Sequence, residues 1–130
     1  MIEGSCLCGA VAYRAARPGR TITYSHCSFC RKTSGSAFSA NVRADRDGVE
    51  VVRGADRVNA YESSPGKLRC ACSVCGSQLF AVGDKFPDQV IVRLGTVDRF
   101  DEFADGVEEH HLFPVSVADA PWGGHWAPRG

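Results

Sequence analysis

Six of the seven cysteines in this 130-residue chain fall into three close pairs. Cys6-Leu7-Cys8-Gly9 and Cys72-Ser73-Val74-Cys75-Gly76 each place two thiols on one short turn and follow them with glycine. Tetrahedral zinc held by four thiolates needs two such turns, and glycine after the last ligand lets backbone N–H groups curl toward the sulfurs. The pattern reads as a structural zinc on Cys6, Cys8, Cys72 and Cys75, which ties an early segment to a middle one and so closes a long loop. Buried free thiols, or a redox pair at Cys72 and Cys75, are the alternatives. A redox pair leaves Cys6 and Cys8 without a purpose.

The third pair lies in Ser25-His26-Cys27-Ser28-Phe29-Cys30-Arg31-Lys32, after a predicted strand. Its C-x-x-C brings two thiols to one point, and the remaining cysteine, Cys70, is the candidate third arm. In an extended segment Cys70 faces the same side as Cys72, and a small local twist would direct it toward Cys27 and Cys30 instead. Three thiolates leave zinc with an open fourth position, where an incoming thiol loses its proton and becomes a nucleophile. Cys27, Cys30 and Cys70 are therefore the expected catalytic set and second zinc site, giving two zinc ions per chain. Alternation turns His26 away from Cys27, so it reads as packed or hydrogen-bonded, with a ligand role as the alternative. Ser25 shares the side of Cys27 and reads either as a hydrogen-bonding contact to a bound substrate or as an ordinary strand-end serine. Arg31 and Lys32 could meet the carboxylates of an acidic substrate, or be two solvated charges. Glu108, Glu109, His110 and His111 resemble a ligand cluster only in composition and read as surface.

The elements that must position these thiols are short, β-branched or aromatic runs: Ala10 to Tyr13, Thr21 to Tyr24, Ala37 to Val42, Val49 to Val52, Val58 to Tyr61, Leu79 to Val82, Val90 to Leu94 and Leu112 to Val117. Turn signals at Arg17-Pro18-Gly19, Asp47-Gly48, Ser64-Pro65-Gly66 and Ala104-Asp105-Gly106 suit antiparallel connections. A mainly β chain is expected, with short helical turns near Arg31 to Ser34 and near Val97 to Phe103, one domain over residues 1–130, and a loosely held end from Pro121. Fifteen basic against fifteen acidic residues give no net charge, so the basic field of a nucleic-acid binder is missing. No basic region and apolar stretch opens the chain, and no apolar run is long enough to span a bilayer. A soluble, unprocessed cytoplasmic protein is expected, in a reducing compartment where clustered thiols are metal ligands or catalytic groups more often than disulfides.

Three segments together carry a family resemblance: Gly4-Ser5-Cys6-Leu7-Cys8-Gly9-Ala10-Val11, His26-Cys27-Ser28-Phe29-Cys30-Arg31-Lys32-Thr33-Ser34-Gly35-Ser36-Ala37-Phe38, and Arg69-Cys70-Ala71-Cys72-Ser73-Val74-Cys75-Gly76-Ser77. They resemble the glutathione-dependent formaldehyde-activating enzymes, or S-(hydroxymethyl)glutathione synthase-like proteins, which share their domain with centromere protein V. Ala120-Pro121-Trp122 is similar to the family's ending. The resemblance implies a β-tent fold of antiparallel sheets pinned by a structural zinc at Cys6, Cys8, Cys72 and Cys75. It also implies a second zinc on a C-x-C-x-x-C motif, of which Cys27 and Cys30 are the last two members. Here Ser25 stands in place of the first, and Ala71 replaces an aromatic residue before the third structural cysteine.

The implied activity is that of a zinc-dependent carbon–sulfur lyase: glutathione or a related thiol becomes a thiolate and attacks formaldehyde or another small aldehyde, and the reverse. Two other classes stay open at this point. A non-catalytic thiol carrier or interaction module would close both zincs with protein ligands. A redox switch would join Cys27 and Cys30 reversibly as a disulfide.

Overall fold

The computed structural model describes residues 1–101 and 108–110, and the backbone of 111 and 112. Its elements, in chain order, are β1 (Ile2–Ser5), β2 (Ala12–Ala15), β3 (Pro18–Ser25), α1 (Ser28–Ser34), β4 (Ser39–Asp45), β5 (Val49–Arg53), β6 (Val58–Ser64), β7 (Lys67–Cys72), β8 (Gln78–Gly83), β9 (Gln89–Arg93), β10 (Val97–Phe100) and β11 (Glu108–Leu112). The chain is mainly β, as expected. One sheet runs β10-β1-β2-β5 and the other β11-β3-β4-β9-β8-β7-β6. The pairings are antiparallel except that β11 lies parallel to β3 along Thr21 to Ser25.

Two expectations are corrected. Val97–Phe100 is a strand on the edge of β1, and the helical turn there is a 3-10 turn at Leu94–Thr96, upstream. Val97 and Phe100 pack against the core from either end of the exposed pair Asp98-Arg99, an i, i+3 spacing that reads locally as a helical face; pairing with β1 decides for the strand. The α1 helix begins at Ser28 rather than Arg31, because Cys27 caps it and brings Cys30 onto its buried side. Strands β1 and β7 were not anticipated: the first is short and contains Gly4, and the second interleaves charges with Leu68, Cys70 and Cys72. The turn at Ala104-Asp105-Gly106, the helical turn's end at Phe103, the strand from Leu112 to Val117 beyond Leu112, and the end from Pro121 lie outside the described residues.

Register fixes which side of the large sheet each residue serves. Ile22, Val42, Val92, Phe80 and Cys70 stand opposite one another across β3, β4, β9, β8 and β7, and directly opposed residues share a face. That face is the core, where it meets the small sheet: Tyr13 sets its ring edge-on to Phe80 at 4.7 Å and hydrogen-bonds Thr96 Oγ1 at 2.7 Å. Ile2, Leu79 and Val92 are fully buried there, each worth about 1.5–3 kcal/mol in apolar surface removed from water. One residue along each strand, Arg43, Ile91, Ala81 and Arg69 form the matching row on the other face, the side that α1 overlies and that carries the chemistry described next.

Candidate functional site

The four thiols Cys6, Cys8, Cys72 and Cys75 converge as expected, their sulfurs all within 4.8 Å of one another. Cys6 and Cys8 sit on the turn after β1, while Cys72 ends β7 and Cys75 lies on the turn that follows it, so the cluster joins the small sheet to the large one. The two turns repeat one geometry. Gly9 N–H donates to Cys6 O and Gly76 N–H to Cys72 O, with φ near +80° at both glycines, where a side chain would be strained. The curl aims Val11 N–H at Cys6 Sγ (3.2 Å) and Val74 N–H at Cys72 Sγ (3.4 Å). Hydrogen bonds from the Ser77 hydroxyl and from the backbone of Cys8 and Ser77 bring Cys75 down to about 5. A backbone hydrogen bond from Ala10 works to lower Cys8, but desolvation and the three neighbouring sulfurs together outweigh it and raise the thiol to about 11. Four thiols this close cannot all ionise beside one another, and a cation among them removes that conflict. The donor set, with N–H groups already aimed at two sulfurs, fits a tetrahedral metal.

The second constellation is a pair. Cys27 Sγ lies 3.2 Å from Cys30 Sγ and accepts from Cys30 N–H at 3.3 Å. Ser25, buried at the end of β3, donates from Oγ to Cys30 Sγ at 3.1 Å. Both terminal nitrogens of Arg69 stand 3.8 Å from Cys30 Sγ. Burial opposes ionisation of Cys30, but the hydrogen bonds from Ser25 and Cys27 and the charge of Arg69 outweigh it and bring the thiol down to about 7. Arg93, beside the pair, donates to Asn41 Oδ1 at 2.5 Å; burial and Arg69 disfavour its charge while the Cys30, Cys27 and Cys70 sulfurs favour it. Arg69 and Arg93 are each 7% exposed, and among the described residues neither meets a carboxylate. Arg69 turns instead to the Cys30 sulfur.

Cys70 does not join this pair. It stands opposite Phe80 on the core face, whereas Arg69, its neighbour, takes the site face and reaches Cys30. Among the described residues the only metal-type cluster is the four-cysteine one. The backbone irregularity between Cys70 and Ala71 does not supply the twist that the third-arm expectation required. Burial pushes the Cys70 thiol up, as suits a small core residue. His26 is buried at 1% exposure and packs against Phe38. Glu108, Glu109 and His110 are exposed, as expected.

Beside the pair opens a cleft of about 320 Å³, lined by Cys27 and Phe29 on one side and by Arg43, Lys67, Arg69 and Ile91 on the sheet. Lys85, Asp84 and Phe86 complete its rim, with Arg43 stacked 4.4 Å over the Phe86 ring. Cations outnumber the single acid. Burial and the charges of Arg69 and Arg93 pull the Lys67 ammonium down. Arg31 and Lys32, the basic residues that adjacency singled out, do not line the cleft. Those that do are Arg43 on β4, Lys67 and Arg69 on β7, and Lys85 after β8; for the β7 pair the alternation Lys67-Leu68-Arg69-Cys70 was the available signal, since it puts both charges on one face and Leu68 and Cys70 on the other. Ser25 serves Cys30 rather than the cleft wall.

A metal at the pair would find two thiols and one hydroxyl, where catalytic zinc keeps three strong protein ligands. Adding a dication beside two buried guanidiniums would also leave uncompensated positive charge in a low dielectric. The residues present do not fit the second metal.

Comparison with known proteins agrees with this architecture. A crystal structure of a Rhodobacter sphaeroides protein superposes with a TM-score of 0.67 at 22% identity, covering 83% of this chain and 98% of that one; the likeness is one of fold. A Halomonas elongata protein named "Putative glutathione-dependent formaldehyde-activating enzyme" is 37% identical over 98 residues, which span 69% of this chain and 61% of that protein. The chain thus matches only about three fifths of that relative's length. Residues 1–113 match the family described as glutathione-dependent formaldehyde-activating enzyme. With its four-cysteine knot, its Cys27–Cys30 pair and a match over most of its length, the chain belongs to the glutathione-dependent formaldehyde-activating enzyme family.

Proposed function

We propose that this protein is a carbon–sulfur lyase-type enzyme that joins a small anionic thiol of the glutathione type to formaldehyde or another small aldehyde, and that the four-cysteine cluster holds a structural zinc. The observation that carries this reading is the cationic cleft with a thiol pair at its wall. Carboxylates of the thiol substrate pair with Arg43 and Lys67, which takes over the role first assigned to Arg31 and Lys32. Its sulfur then lies toward Cys27. The Cys27–Cys30 pair, held near neutrality by Ser25 and Arg69, takes the proton of the incoming thiol. A base with that affinity is well matched to proton transfer at cellular pH. The new thiolate attacks the carbonyl carbon, the C–S bond forms as the C=O π bond breaks, and the proton returns from the pair to the alkoxide oxygen. The reverse sequence releases aldehyde and thiol. Proximity supplies much of the acceleration, since a thiolate adds to an aldehyde readily once both are held together. Cytoplasmic residence follows from this substrate pair; no helix among the described residues is long and apolar enough to cross a membrane.

The test is NMR exchange spectroscopy on glutathione and formaldehyde near neutral pH. Faster interconversion of free thiol and hydroxymethyl adduct with protein than without it is the expected result. Equal rates overturn the assignment.

A further inference from the structure

The geometry points to a metal-free dithiol centre at Cys27 and Cys30, with the buried guanidinium of Arg69 as its fixed cation, that exchanges reversibly with the disulfides of small thiols. Four observations carry it. The two sulfurs stand 3.2 Å apart with no third thiol in reach, Cys70 having turned to the core. Ser25 puts a hydroxyl, not a thiol, 3.1 Å from Cys30 Sγ, and that hydroxyl is already used as a donor to the sulfur. Arg69 faces Cys30 with both terminal nitrogens and has no carboxylate among the described residues, so the electrostatic place of a metal is taken. Cys27, unlike Cys30, lines the open cleft. It is thus the sulfur a small disulfide can reach, while Cys30 waits buried behind it.

The exchange balances without a further reagent. The Cys27 thiolate attacks one sulfur of an R–S–S–R disulfide, forming a mixed disulfide and expelling one RS⁻. Cys30 then attacks the Cys27 sulfur, closes the Cys27–Cys30 disulfide and expels the second RS⁻. The two protons lost by the cysteines end on the two RSH molecules. The protein pair is oxidised, the small disulfide is reduced, and excess RSH reverses both steps. Zinc bound at the pair would block this chemistry, whereas the four-cysteine centre keeps its own sulfurs occupied.

The experiment compares zinc content per chain, by mass spectrometry of reduced and buffer-exchanged protein, in the wild type, the C27S/C30S double variant and S25C. Equal zinc in wild type and C27S/C30S, with about one more zinc per chain in S25C, is the expected outcome. A wild type that carries one zinc more than C27S/C30S overturns the metal-free centre, and S25C with no gain overturns the role given to Ser25. In a second arm, wild-type protein is incubated with oxidised glutathione. Its mass should fall by two hydrogens, the bond should map to Cys27 and Cys30, and dithiothreitol should restore the starting mass. An unchanged mass, or a stable glutathione adduct on Cys27 in place of the internal bond, contradicts the exchange. Neither arm involves an aldehyde, so the lyase reading can fail while this one stands, and the reverse.

Discussion

Replacing Arg69 with methionine keeps most of the side chain's volume and removes the guanidinium that stands 3.8 Å from Cys30 Sγ. A unit charge at that distance interacts with a thiolate by about 4 kcal/mol at an effective dielectric near 20. That is a ceiling, because Ser25 and Cys27 contribute more to the displacement of Cys30 from 9.0 to about 7, and burial works against all three. A share of about one pKa unit, or about 1.4 kcal/mol, is the working figure for Arg69. The Cys30 thiol should therefore titrate about one unit higher in R69M than in the wild type. Thiolate absorbance at 240 nm, followed against pH in zinc-loaded protein and referenced to C30S, reads this directly. The same shift has a stability consequence. Cys30 loses its proton more easily folded than unfolded, so its contribution is complete above 9.0 and is lost as the pH falls through about 7. It amounts to roughly 1–2 kcal/mol after allowance for solvent at the cleft. In R69M the lower limit of that window should move up with the titration. A titration in R69M that overlays the wild type would refute the electrostatic role of Arg69.

Other substitutions probe the remaining parts. Lys67→Met should raise KM for a dicarboxylate thiol about tenfold, the worth of one charge-assisted hydrogen bond, and leave a neutral thiol such as 2-mercaptoethanol nearly unaffected in the same exchange assay. Cys70→Ser should leave zinc content unchanged and cost about 1–2 kcal/mol in urea unfolding, because a hydroxyl would face Phe80 in the core. Gly54→Ala should cost at least about 2–4 kcal/mol, since a Cβ there would lie 1.9 Å from Ala10 O at a φ of +75°, on the segment that carries Cys8. Cys72→Ser, or a strong zinc chelator at neutral pH, should loosen the joint between the two sheets and lower the thermal midpoint by well over 10 °C, on the order of several kcal/mol.

The legible part of this molecule was what local spacing decides. Paired thiols followed by glycine gave the four-cysteine cluster, and runs of β-branched residues gave most of the strands. Side orientation across long-range pairings was not legible in the same way. Cys70 and Cys72 do share a face, but which face meets the second thiol pair depends on β7 lying between β6 and β8, and no local signal specifies that. Arg69 and Arg93 escaped notice for the same reason: each is one arginine in a short strand until the sheet sets Arg69 against Cys30 and Arg93 against Ser39 and Asn41. Arg31 and Lys32 were chosen by adjacency to Cys30, yet neither lines the cleft, which Phe29 on the other side of Cys30 does. Val97 to Phe100 was misread because an edge strand of four residues carries too little pattern to be told from a helical turn.

The most direct test of the chemistry is the glutathione–formaldehyde exchange rate measured in wild type and C30S at matched zinc content, and in C72S, which lacks one member of the four-cysteine centre. Acceleration in the wild type that falls to the protein-free rate in C30S is the predicted result. Acceleration that survives in C30S and disappears only with the four-cysteine centre would contradict it, and would move the reaction away from the cleft.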